Sequence, residues 1–531
     1  MKSLKKLSVS IITAAALSVG CICQTAFAVD SMSNDDGVPS TAVAVVRDMG
    51  NGTNLGNTME ACGDWINGSS PTNYETAWGQ PVTTKAIIEG MKEAGYNSVR
   101  IPVAWSNMMS KDGTYTIDKA YLDRVEEIVN YVLDTGMYAI VNEHWDGGWW
   151  GDFTSKDEAV AAEAWKKYEA IWTQVGERFK DYSHKLILES ANEELGSSFT
   201  VSPKKKYQLI TDINQKFVDI IRSQGSKNAD RFLLIAGYDT NIDKTIDPLY
   251  VMPEDTIENH LMISVHYYDP SPYTLVSDPN NSWGYYDSWG TDSDIAYMEN
   301  QLAKMNQFTQ QGYGVIIGEC GAISKRQDGT VKDGTYEWYE NMLRICEKLN
   351  LCPMSWDCST WYIRNQKKIT NTELAKIFKD AEYVPGHYSV SGTVKVSDSD
   401  LSTDITVTAV SSDGTEYFVN TKSMGEYSIT GIDAGTYTIK ASGGKYAPRE
   451  YTVEIGSVDV TQDVELNPYG DLNSDGKVTT ADVGMANSHA KGVKALEGYS
   501  FVCADVTEDG AITTADVGRI NSHAKSVKAL W

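Results

Sequence analysis

The sequence predicts an α/β protein in which a (β/α)8 TIM barrel is followed by a small β-sandwich and a helical tail built from two repeats. Three observations predict this order. Over residues 41–383, short apolar runs alternate with longer amphipathic runs; over 388–467, short alternating runs are broken by turns; and over 468–531, a segment recurs after 34 residues. A chain of 531 residues has room for two to four domains of ordinary size.

Residues 1–28 have the pattern of a secretory signal peptide. Three lysines lie among the first six residues, an apolar stretch covers 7–19, and Ala26-Phe27-Ala28 offers small residues for cleavage. The apolar stretch is shorter than a membrane-spanning helix needs to be. We therefore expect the protein to be exported rather than anchored in a membrane.

The composition is strongly acidic, with a formal net charge of −26. Such a surface repels nucleic acids and anionic membranes, so we expect no nucleic-acid partner and no membrane insertion, whereas a neutral polymer is a compatible substrate. Six cysteines follow residue 28, and none shows the paired spacing of a zinc site. We expect most of them to be buried thiols, and the sequence leaves one disulfide open.

Eight apolar runs of strand length divide the first domain. The predicted strands are 52–58, 98–103, 138–144, 185–192, 231–237, 261–266, 314–319 and 353–357. Helical patterns lie between them at 83–94, 118–135, 157–181, 203–224, 293–311 and 335–349. A doubly wound open sheet would carry a Gly-rich phosphate loop after its first strand, and this chain has none, which favours the barrel.

Polar and aromatic side chains cluster where six of these predicted strands end. They are Arg100, His144-Trp145-Asp146, Asn192-Glu193, His266-Tyr267-Tyr268, Glu319 and Trp356-Asp357. In a barrel of parallel strands, the carboxyl ends face one common site. Two glutamates on different strands are what glycoside hydrolysis requires, because one donates a proton and the other attacks the sugar.

These residues identify a family resemblance that covers residues 41–383. Five motifs in order resemble the endoglucanases of glycoside hydrolase family five, a group of retaining (β/α)8 hydrolases: Asn54-Leu55-Gly56-Asn57-Thr58, Val99-Arg100-Ile101-Pro102-Val103, Asn192-Glu193, His266-Tyr267-Tyr268 and Ile317-Gly318-Glu319. The resemblance implies Glu193 as the catalytic acid/base and Glu319 as the nucleophile. It also implies a substrate-facing shell of Arg100, His144, Asn192, His266, Tyr268 and Trp356.

The chemistry of these side chains agrees with the implied roles. We expect burial and the charge of Glu319 to raise the pKa of Glu193, so that Glu193 holds a proton near neutral pH. Arg100 and Tyr268 are suited to keeping Glu319 ionised. Asn192 can bond the 2-hydroxyl of the sugar. The reaction requires no metal or other cofactor.

One departure from the family pattern concerns substrate choice. Many members have two consecutive histidines where this chain has His144-Trp145. We expect Trp145 to flank the sugar nearest the cleavage point and to replace a histidine hydrogen bond with an apolar face. Trp356 offers a second flat face on which a pyranose can lie.

The segment 388–467 is predicted to be a small β-sandwich. Its candidate strands are 389–396, 405–410, 417–421, 427–429, 437–440 and 458–466. The runs at 425–429 and 435–439 resemble the immunoglobulin-like modules of the carboxypeptidase-regulatory type. A role as a spacer is favoured over carbohydrate binding, because no aromatic strip is evident.

The tail repeats itself: residues 478–496 and 512–530 are identical at 15 of 19 positions. Each repeat opens with a calcium-type loop that has carboxylates at positions 1, 5 and 12 and glycine at position 6. The predicted ligands of two calcium ions are Asp471, Asn473, Asp475, Lys477 and Asp482 in the first loop and Asp505, Thr507, Asp509, Ala511 and Asp516 in the second.

A pair of such loops, each followed by a helix, resembles a dockerin, the module that attaches cellulosomal enzymes to the cohesin modules of a scaffold protein. The resemblance implies a cohesin partner. We expect recognition through the helix after each loop, at Thr480, Ala481, Asn487 and Ser488 in the first repeat and at Thr514, Ala515, Arg519 and Asn521 in the second.

The sequence therefore predicts a secreted, extracellular, cellulosomal endo-β-1,4-glucanase that retains anomeric configuration. A xyloglucanase, a β-mannanase or a mixed-linkage glucanase would use the same two glutamates and stays open. A non-catalytic carbohydrate-binding subunit is the alternative from another class. The presence of both glutamates together with Asn192 and Tyr268 argues against it.

Overall fold

The computed structural model describes residues 38–383, 387–412, 414–456 and 459–531. The predicted signal peptide at 1–28 lies outside the described residues, as do the junction at 384–386 and the first residue of the predicted strand 458–466. Within the described ranges, none of the helices combines the length and the apolar character needed to cross a bilayer.

Eight parallel strands close into a barrel in sequence order, which confirms the predicted (β/α)8 fold. They are β1 (Gly52–Asn54), β2 (Ser98–Ile101), β3 (Tyr138–Asn142), β4 (Leu186–Glu189), β5 (Leu233–Asn241), β6 (Leu261–Tyr267), β7 (Gly314–Cys320) and β8 (Cys352–Ser355). The barrel closes where Gly52 of β1 lies opposite Ser98 of β2 on one side and Met354 of β8 on the other.

Several predicted strands run too far toward their carboxyl ends. Strand β4 ends at Glu189 and β8 at Ser355, so Asn192-Glu193 and Trp356-Asp357 lie in the loops that follow. The ladder of hydrogen bonds stops where the backbone turns outward to line the mouth of the barrel, and apolar runs alone do not mark that point.

Helices surround the barrel, and most begin at a capping residue such as Asp118, Asp157 or Asn371. They are α1 (Ala42–Asp48), α2 (Pro71–Glu75), α3 (Lys85–Glu93), α4 (Lys119–Asp134), α5 (Glu158–Phe179), α6 (Pro203–Ser223), α7 (Ile242–Thr245), α8 (Ser271–Thr274), α9 (Asp292–Ala303), α10 (Asn306–Thr309), α11 (Thr335–Leu349) and α12 (Thr372–Asp380). Between β5 and β6 the only α-helix is the single turn α7, consistent with the absence of a predicted helix there.

The interior of the barrel is closed at the amino ends of the strands by α1. Val45 and Val46 of this helix join a fully buried cluster with strand residues such as Ile140, Ile316 and Met354. A short hairpin of β9 (Tyr362–Ile363) and β10 (Lys368–Ile369) precedes α12. With one end of the barrel closed by apolar side chains, the carboxyl ends of the strands form the open face.

The second domain is a sandwich of two sheets, in the order β14-β11-β17 with β18 also paired to β11, and β13-β12-β15-β16. The strands are β11 (His387–Val396), β12 (Asp404–Ser411), β13 (Glu416–Lys422), β14 (Glu426–Asp433), β15 (Gly435–Gly443), β16 (Tyr446–Ile455), β17 (Val460–Thr461) and β18 (Val464–Leu466). The predicted sandwich is therefore confirmed, although the described part of 458–466 forms two short strands rather than one.

Strand β16 was not predicted. Its sequence contains Pro448 and Arg449, which argue against a strand in the middle of a sheet. Because β16 lies at the edge of its sheet, next to β15 alone within that order, a proline there leaves no ladder bond unmade.

The tail contains α13 (Thr480–Ala490), α14 (Tyr499–Ala504) and α15 (Thr514–Ala524). Each long helix starts at a capping box in which a threonine pairs with the aspartate at loop position 12: Thr479 with Asp482, and Thr513 with Asp516. Over the described residues all six cysteines are unpaired, and five of them are buried, as the prediction of buried thiols requires.

Candidate active site

Arg100 of β2 lies at the centre of the open face of the barrel and is fully buried. Its Nε donates to Glu189 (2.6 Å) and its Nη2 to Asn192 Oδ1 (2.7 Å). Its Nη1 donates to Glu319 (3.1 Å) and to Asn54 Oδ1 (3.0 Å). One guanidinium from β2 therefore fixes side chains that come from β1, β4 and β7 and from the loop after β4, as its planar set of donors allows.

Glu193 and Glu319 face each other across this site. One carboxylate oxygen of each lies within 4.8 Å of the other and of a ring nitrogen of His266. His266 Nδ1 lies 2.7 Å from Glu193 and 3.6 Å from Glu319. The Tyr268 hydroxyl donates to Glu319 at 3.0 Å. The side chain of Glu193 is 50% exposed and that of Glu319 is 9% exposed, so a ligand in the cleft reaches Glu193 first.

The protonation of the two glutamates differs from the sequence-based expectation. Burial raises the pKa of Glu193, but the hydrogen bond and charge of His266, with the charge of Arg100, outweigh it and hold that pKa below its ordinary value. Burial raises the pKa of Glu319 above its ordinary value, and the cations beside it offset this only in part. The directions are therefore opposite to those expected, with Glu319 the more deeply buried carboxyl and His266 bonded to Glu193.

His144 and Trp356 form one wall of the site. Their rings stack with centroids 6.1 Å apart and planes inclined by 13°. The pKa of His144 lies well below its ordinary value because of burial and the nearby charges of Arg100 and His266, so its ring is neutral. Its Nδ1 accepts a hydrogen bond from Asn142 Nδ2 (3.1 Å), which leaves the other ring nitrogen to carry the proton.

Trp145 follows His144 directly and is 47% exposed. It is therefore accessible to a ligand, and its contact with a sugar stays a prediction. The structure thus joins six predicted residues through shared contacts: Arg100, Asn192, Glu193, His266, Tyr268 and Glu319. His144, stacked on Trp356, lies close enough to Arg100 and His266 for their charges to lower its pKa.

Two residues of the site were not predicted as site residues. Asn54 receives the Arg100 bond and donates through Nδ2 to the backbone oxygen of Gly318 (2.9 Å), which ties β1 to β7. Glu189 is fully buried and forms an ion pair with Arg100. The signal for Glu189 was present in the sequence, since a glutamate inside an otherwise apolar strand requires a buried cation.

Each calcium-type loop of the tail folds around its first aspartate. Asp471 accepts hydrogen bonds from the backbone N–H groups of Asp475 (3.2 Å) and Gly476 (3.0 Å). Asp505 accepts the equivalent bonds at 3.1 and 2.8 Å. Both repeats therefore have the same loop conformation, which the near-identity of their sequences predicts.

The carboxylates of these loops fit a hard cation. Asp471, Asp482 and Asp516 are fully buried. Within the described ranges, none of the predicted carboxylate ligands forms an ion pair with a lysine or an arginine. Buried carboxylates of like charge need a cation between them, and calcium prefers oxygen ligands of this kind. Lys477 and Ala511 occupy position 7, from which such loops supply a main-chain carbonyl.

Comparison with known proteins gives three family matches along the chain. The cellulase family, glycosyl hydrolase family 5, matches residues 59–360. The carboxypeptidase regulatory-like domain matches 389–467, and the dockerin type I domain matches 469–523. Endoglucanase A of Paenibacillus barcinonensis is 33% identical over 343 residues, which are 60% of this chain and 82% of that protein.

Two solved structures illustrate the likeness of the barrel. A GH5-4 broad specificity endoglucanase from Ruminococcus champanellensis with bound cellotriose is 32% identical, with a TM-score of 0.56, and the match covers 64% of this chain and 98% of that one. A Bacteroides ovatus GH5 xyloglucanase in complex with a XXXG heptasaccharide is 28% identical, with a TM-score of 0.57, covering 65% of this chain and 77% of that one.

The family 5 match extends over more than half of the chain and includes the loop after β4 and strand β7, which carry Glu193 and Glu319. The two further matches coincide with the sandwich and with the calcium-type loops. The chain therefore belongs to the cellulases of glycosyl hydrolase family 5, and it is a glycoside hydrolase that carries a carboxypeptidase regulatory-like module and a dockerin.

Proposed function

We propose that this cellulosomal endoglucanase hydrolyses internal β-1,4 bonds of a β-glucan with retention of anomeric configuration, using Glu193 as acid/base and Glu319 as nucleophile. The observation that carries the proposal is the approach of the two carboxylates to within 4.8 Å. Retaining glycosidases hold their carboxyl groups about 5–5.5 Å apart, whereas inverting enzymes need roughly 6.5–9.5 Å to admit a water. The observed spacing supports direct attack on the sugar.

In the first step, a Glu319 oxygen attacks the anomeric carbon while the bond from that carbon to the glycosidic oxygen breaks. The proton of Glu193 passes to the departing oxygen, and the leaving chain is released as an alcohol. Arg100 and Tyr268 hold Glu319 in position through the 3.1 and 3.0 Å contacts. In the second step, Glu193 takes a proton from water, the water oxygen bonds to the anomeric carbon, and the ester to Glu319 breaks.

Substrate binding is what prepares Glu193 as an acid. Its side chain is half exposed and bonded to His266. A polysaccharide in the cleft covers that exposed half, and the loss of water raises the pKa of Glu193. Once Glu319 is esterified it carries no charge, so the pKa of Glu193 falls again and the same residue serves as the base.

The remaining side chains orient the sugar. Because Asn192 Oδ1 accepts from Arg100, its amide presents only Nδ2 hydrogens to a ligand, which suits donation to the 2-hydroxyl. His266 positions Glu193, and His144 supplies a neutral ring beside Trp356. Trp356 and Trp145 offer apolar faces for pyranose rings.

A xyloglucanase is the second candidate, because one structure that this barrel resembles is a xyloglucanase in complex with a XXXG heptasaccharide. A panel of carboxymethylcellulose, mixed-linkage β-glucan, xyloglucan and mannan, with sizing of the products, separates the two. We expect the viscosity of unsubstituted β-glucans to fall before many reducing ends appear. Cleavage confined to xyloglucan or to mannan would contradict the assignment as an endoglucanase acting on unsubstituted β-glucans.

The tail is proposed to bind two calcium ions, one in each loop, through the ten ligand positions given above, and to attach the protein to a cohesin of an extracellular scaffold. The support is the set of loop carboxylates, which form no ion pair with a lysine or an arginine of the described ranges, together with the dockerin match. We place the catalytic domain at 41–383, the sandwich at 388–467 and the dockerin at 468–531. The protein is proposed to act outside the cell after removal of residues 1–28.

A further inference from the structure

The two calcium-type loops have almost the same sequence and conformation, but their surroundings differ. Asp471, at position 1 of the first loop, is fully buried and accepts a hydrogen bond from the hydroxyl of Ser397 (2.8 Å), which directly follows strand β11 of the sandwich. Asp505, at position 1 of the second loop, is only partly buried, and within the described part of the chain its side chain accepts hydrogen bonds only from residues of its own loop. The sandwich thus covers one loop and leaves the other open.

The surroundings of the glycines at position 6 also show that the sandwich covers the first loop and not the second. A Cβ atom built on Gly476 would lie 2.4 Å from the backbone oxygen of Ser397, and one built on Gly510 would meet nothing within 4 Å. The backbone angles are nearly equal, with φ of +79° at Gly476 and +82° at Gly510. The first loop is therefore pressed against the sandwich by a contact that the second loop lacks.

The turn that presents Ser397 is itself braced by the sandwich. Tyr446 donates to Asp398 (2.9 Å), and Lys445 pairs with Asp398 and with Asp400 (3.2 Å). These contacts hold the residues after β11 in one arrangement. Ser397 is thus a donor on a supported turn rather than on a free loop.

The contact extends beyond the loop to α14. The Tyr499 hydroxyl donates to the backbone oxygen of Ala447 in β16 (2.7 Å), and the guanidinium of Arg449 lies 4.5 Å from the centre of the Tyr499 ring. Ala447 is part of the apolar core of the tail, together with Leu472 and Ile520. Of the predicted cohesin-facing residues, in contrast, five are exposed and three are half-buried: Thr480, Ala481, Thr514, Ala515 and Arg519 are exposed, and Asn487, Ser488 and Asn521 are half-buried.

We infer that the sandwich is a docking platform for the first calcium loop, so that calcium in this loop and the attachment of the dockerin to the sandwich stabilise each other. The inference rests on the proposed binding of calcium by the tail. A cation held by Asp471 fixes the carboxylate that receives the Ser397 hydroxyl, and the hydroxyl fixes the carboxylate for the cation. Because such coupling is reciprocal, losing either partner weakens the other.

It follows that the two repeats have different roles. The first loop sets the orientation of the dockerin on the sandwich, whereas, over the described residues, the second loop contacts only other parts of the tail. Since the platform contacts the first loop and α14, it leaves the exposed faces of α13 and α15 free for a cohesin. The sandwich is thus more than a spacer between catalysis and attachment.

Gly476→Ala and Gly510→Ala form a matched pair for the test. Both place a side chain at a positive φ in the same loop position, so the strain on the loop itself is shared. Only Gly476→Ala forces the loop away from Ser397. Calcium titration of the full-length variants by calorimetry should show one site weakened by about tenfold more in Gly476→Ala than the other site is weakened in Gly510→Ala.

A second pair leaves the loops untouched. Ser397→Ala removes the donor, and Ser428→Ala removes an exposed hydroxyl of the same module. Ser397→Ala should weaken one calcium site by roughly three- to tenfold, and Ser428→Ala should leave both sites unchanged. In the wild type, chelation should speed hydrogen–deuterium exchange in peptides covering 396–400 and 446–449, which lie outside both loops.

Equal losses in the two glycine variants, together with unchanged exchange in the sandwich on chelation, would overturn the inference while leaving two-site calcium binding intact. Failure of the wild-type protein to bind calcium would instead overturn the proposed calcium sites and the inference with them. The two failures are distinguished by the stoichiometry of the wild-type titration.

Discussion

The barrel and the dockerin both bury carboxylates, but they neutralise them in different ways. In the barrel, Glu189 and Glu319 pack against Arg100, so the chain supplies its own cation. In the tail, Asp471 and Asp482 are fully buried, and none of the ion pairs among the described residues reaches them. A buried charge without a counter-charge is strongly destabilising. We therefore expect hydrolysis to be independent of added ions and attachment to depend on them.

Removal of calcium should have the largest effect, because it should weaken cohesin binding by the tail and leave hydrolysis by the barrel nearly unchanged. A chelator, or the double substitution Asp475→Ala with Asp509→Ala, should weaken cohesin binding by at least about 100-fold, because ion binding and folding of the tail are coupled. Hydrolysis of a soluble glucan should stay within about twofold of its starting rate, since Arg100 and His266 already balance the catalytic carboxylates. Binding by surface plasmon resonance and release of reducing sugar, measured on one sample, check both. A parallel loss of cohesin binding and glucan hydrolysis would contradict the difference between the two regions.

Glu193→Gln should produce the opposite pattern. It removes the proton donor, so kcat should fall by about 10²–10⁴-fold while calcium and cohesin binding remain unchanged. The loss in kcat/KM, which reports formation of the ester but not its hydrolysis, should be much smaller for an aryl glycoside whose leaving group needs no proton. Steady-state kinetics with a glucan and with a dinitrophenyl glycoside test this. An equal loss in kcat/KM on both substrates would argue that Glu193 is not the acid.

Glu194 is a buried carboxyl of the barrel with no cation beside it among the described residues, so it should make the free energy of unfolding depend on pH. Burial, as the main cause, raises its pKa from 4.5 to about 8. Between these pH values the unfolded chain has lost the proton and the folded protein has kept it, so this residue makes stability fall as pH rises from about 4.5 to about 8. Glu194→Gln should therefore raise the free energy of unfolding at pH 8 by roughly 2–4 kcal/mol and leave it little changed at pH 4.

The control for Glu194→Gln is Glu89→Gln, an exposed position on α3. Thermal or urea unfolding at pH 4, 6 and 8 gives the comparison. A gain at pH 8 that is the same in both variants, or no gain at all, would contradict the assignment of a buried neutral carboxyl.

The smallest expected effect, on stability and on substrate preference, is that of substituting Trp145. Because this ring is 47% exposed, Trp145→His should change stability by less than about 0.5 kcal/mol. It should change the ratio of kcat/KM between two polysaccharides by a few-fold, since it exchanges an apolar face for a hydrogen-bonding ring. Comparing unsubstituted β-glucan with xyloglucan measures this ratio. An unchanged ratio would place Trp145 outside the substrate contacts.

The sequence was sufficient to predict the fold of the barrel and the fold of the dockerin. Apolar runs predicted eight barrel strands in order, and the residues after them, such as Asn192-Glu193, predicted which side chains meet at the open face of the barrel. The near-identity of the two tail repeats predicted two equivalent loops. These features are local in the chain, so their periodicity and spacing are visible in it.

What the sequence could not predict depends on contacts between distant residues. Contact with His266 lowers the pKa of Glu193, and burial raises the pKa of Glu319. The burial of Asp471 depends on Ser397, 74 positions earlier. Strand β16 is recognisable only once its place at the edge of a sheet is known, since Pro448 argues against it in any other place.

The most direct test of the proposed chemistry is to trap the covalent intermediate with a 2-deoxy-2-fluoro cellobiosyl fluoride and to map the labelled peptide by mass spectrometry. The fluorine slows both steps, and the good leaving group restores the first, so an ester on the nucleophile accumulates. We expect one label for each protein molecule, on the peptide that contains Glu319, and early products of glucan hydrolysis that keep the β configuration by NMR. A label on Glu193, or no label together with inverted products, would contradict the assignment of a retaining mechanism to this pair of glutamates.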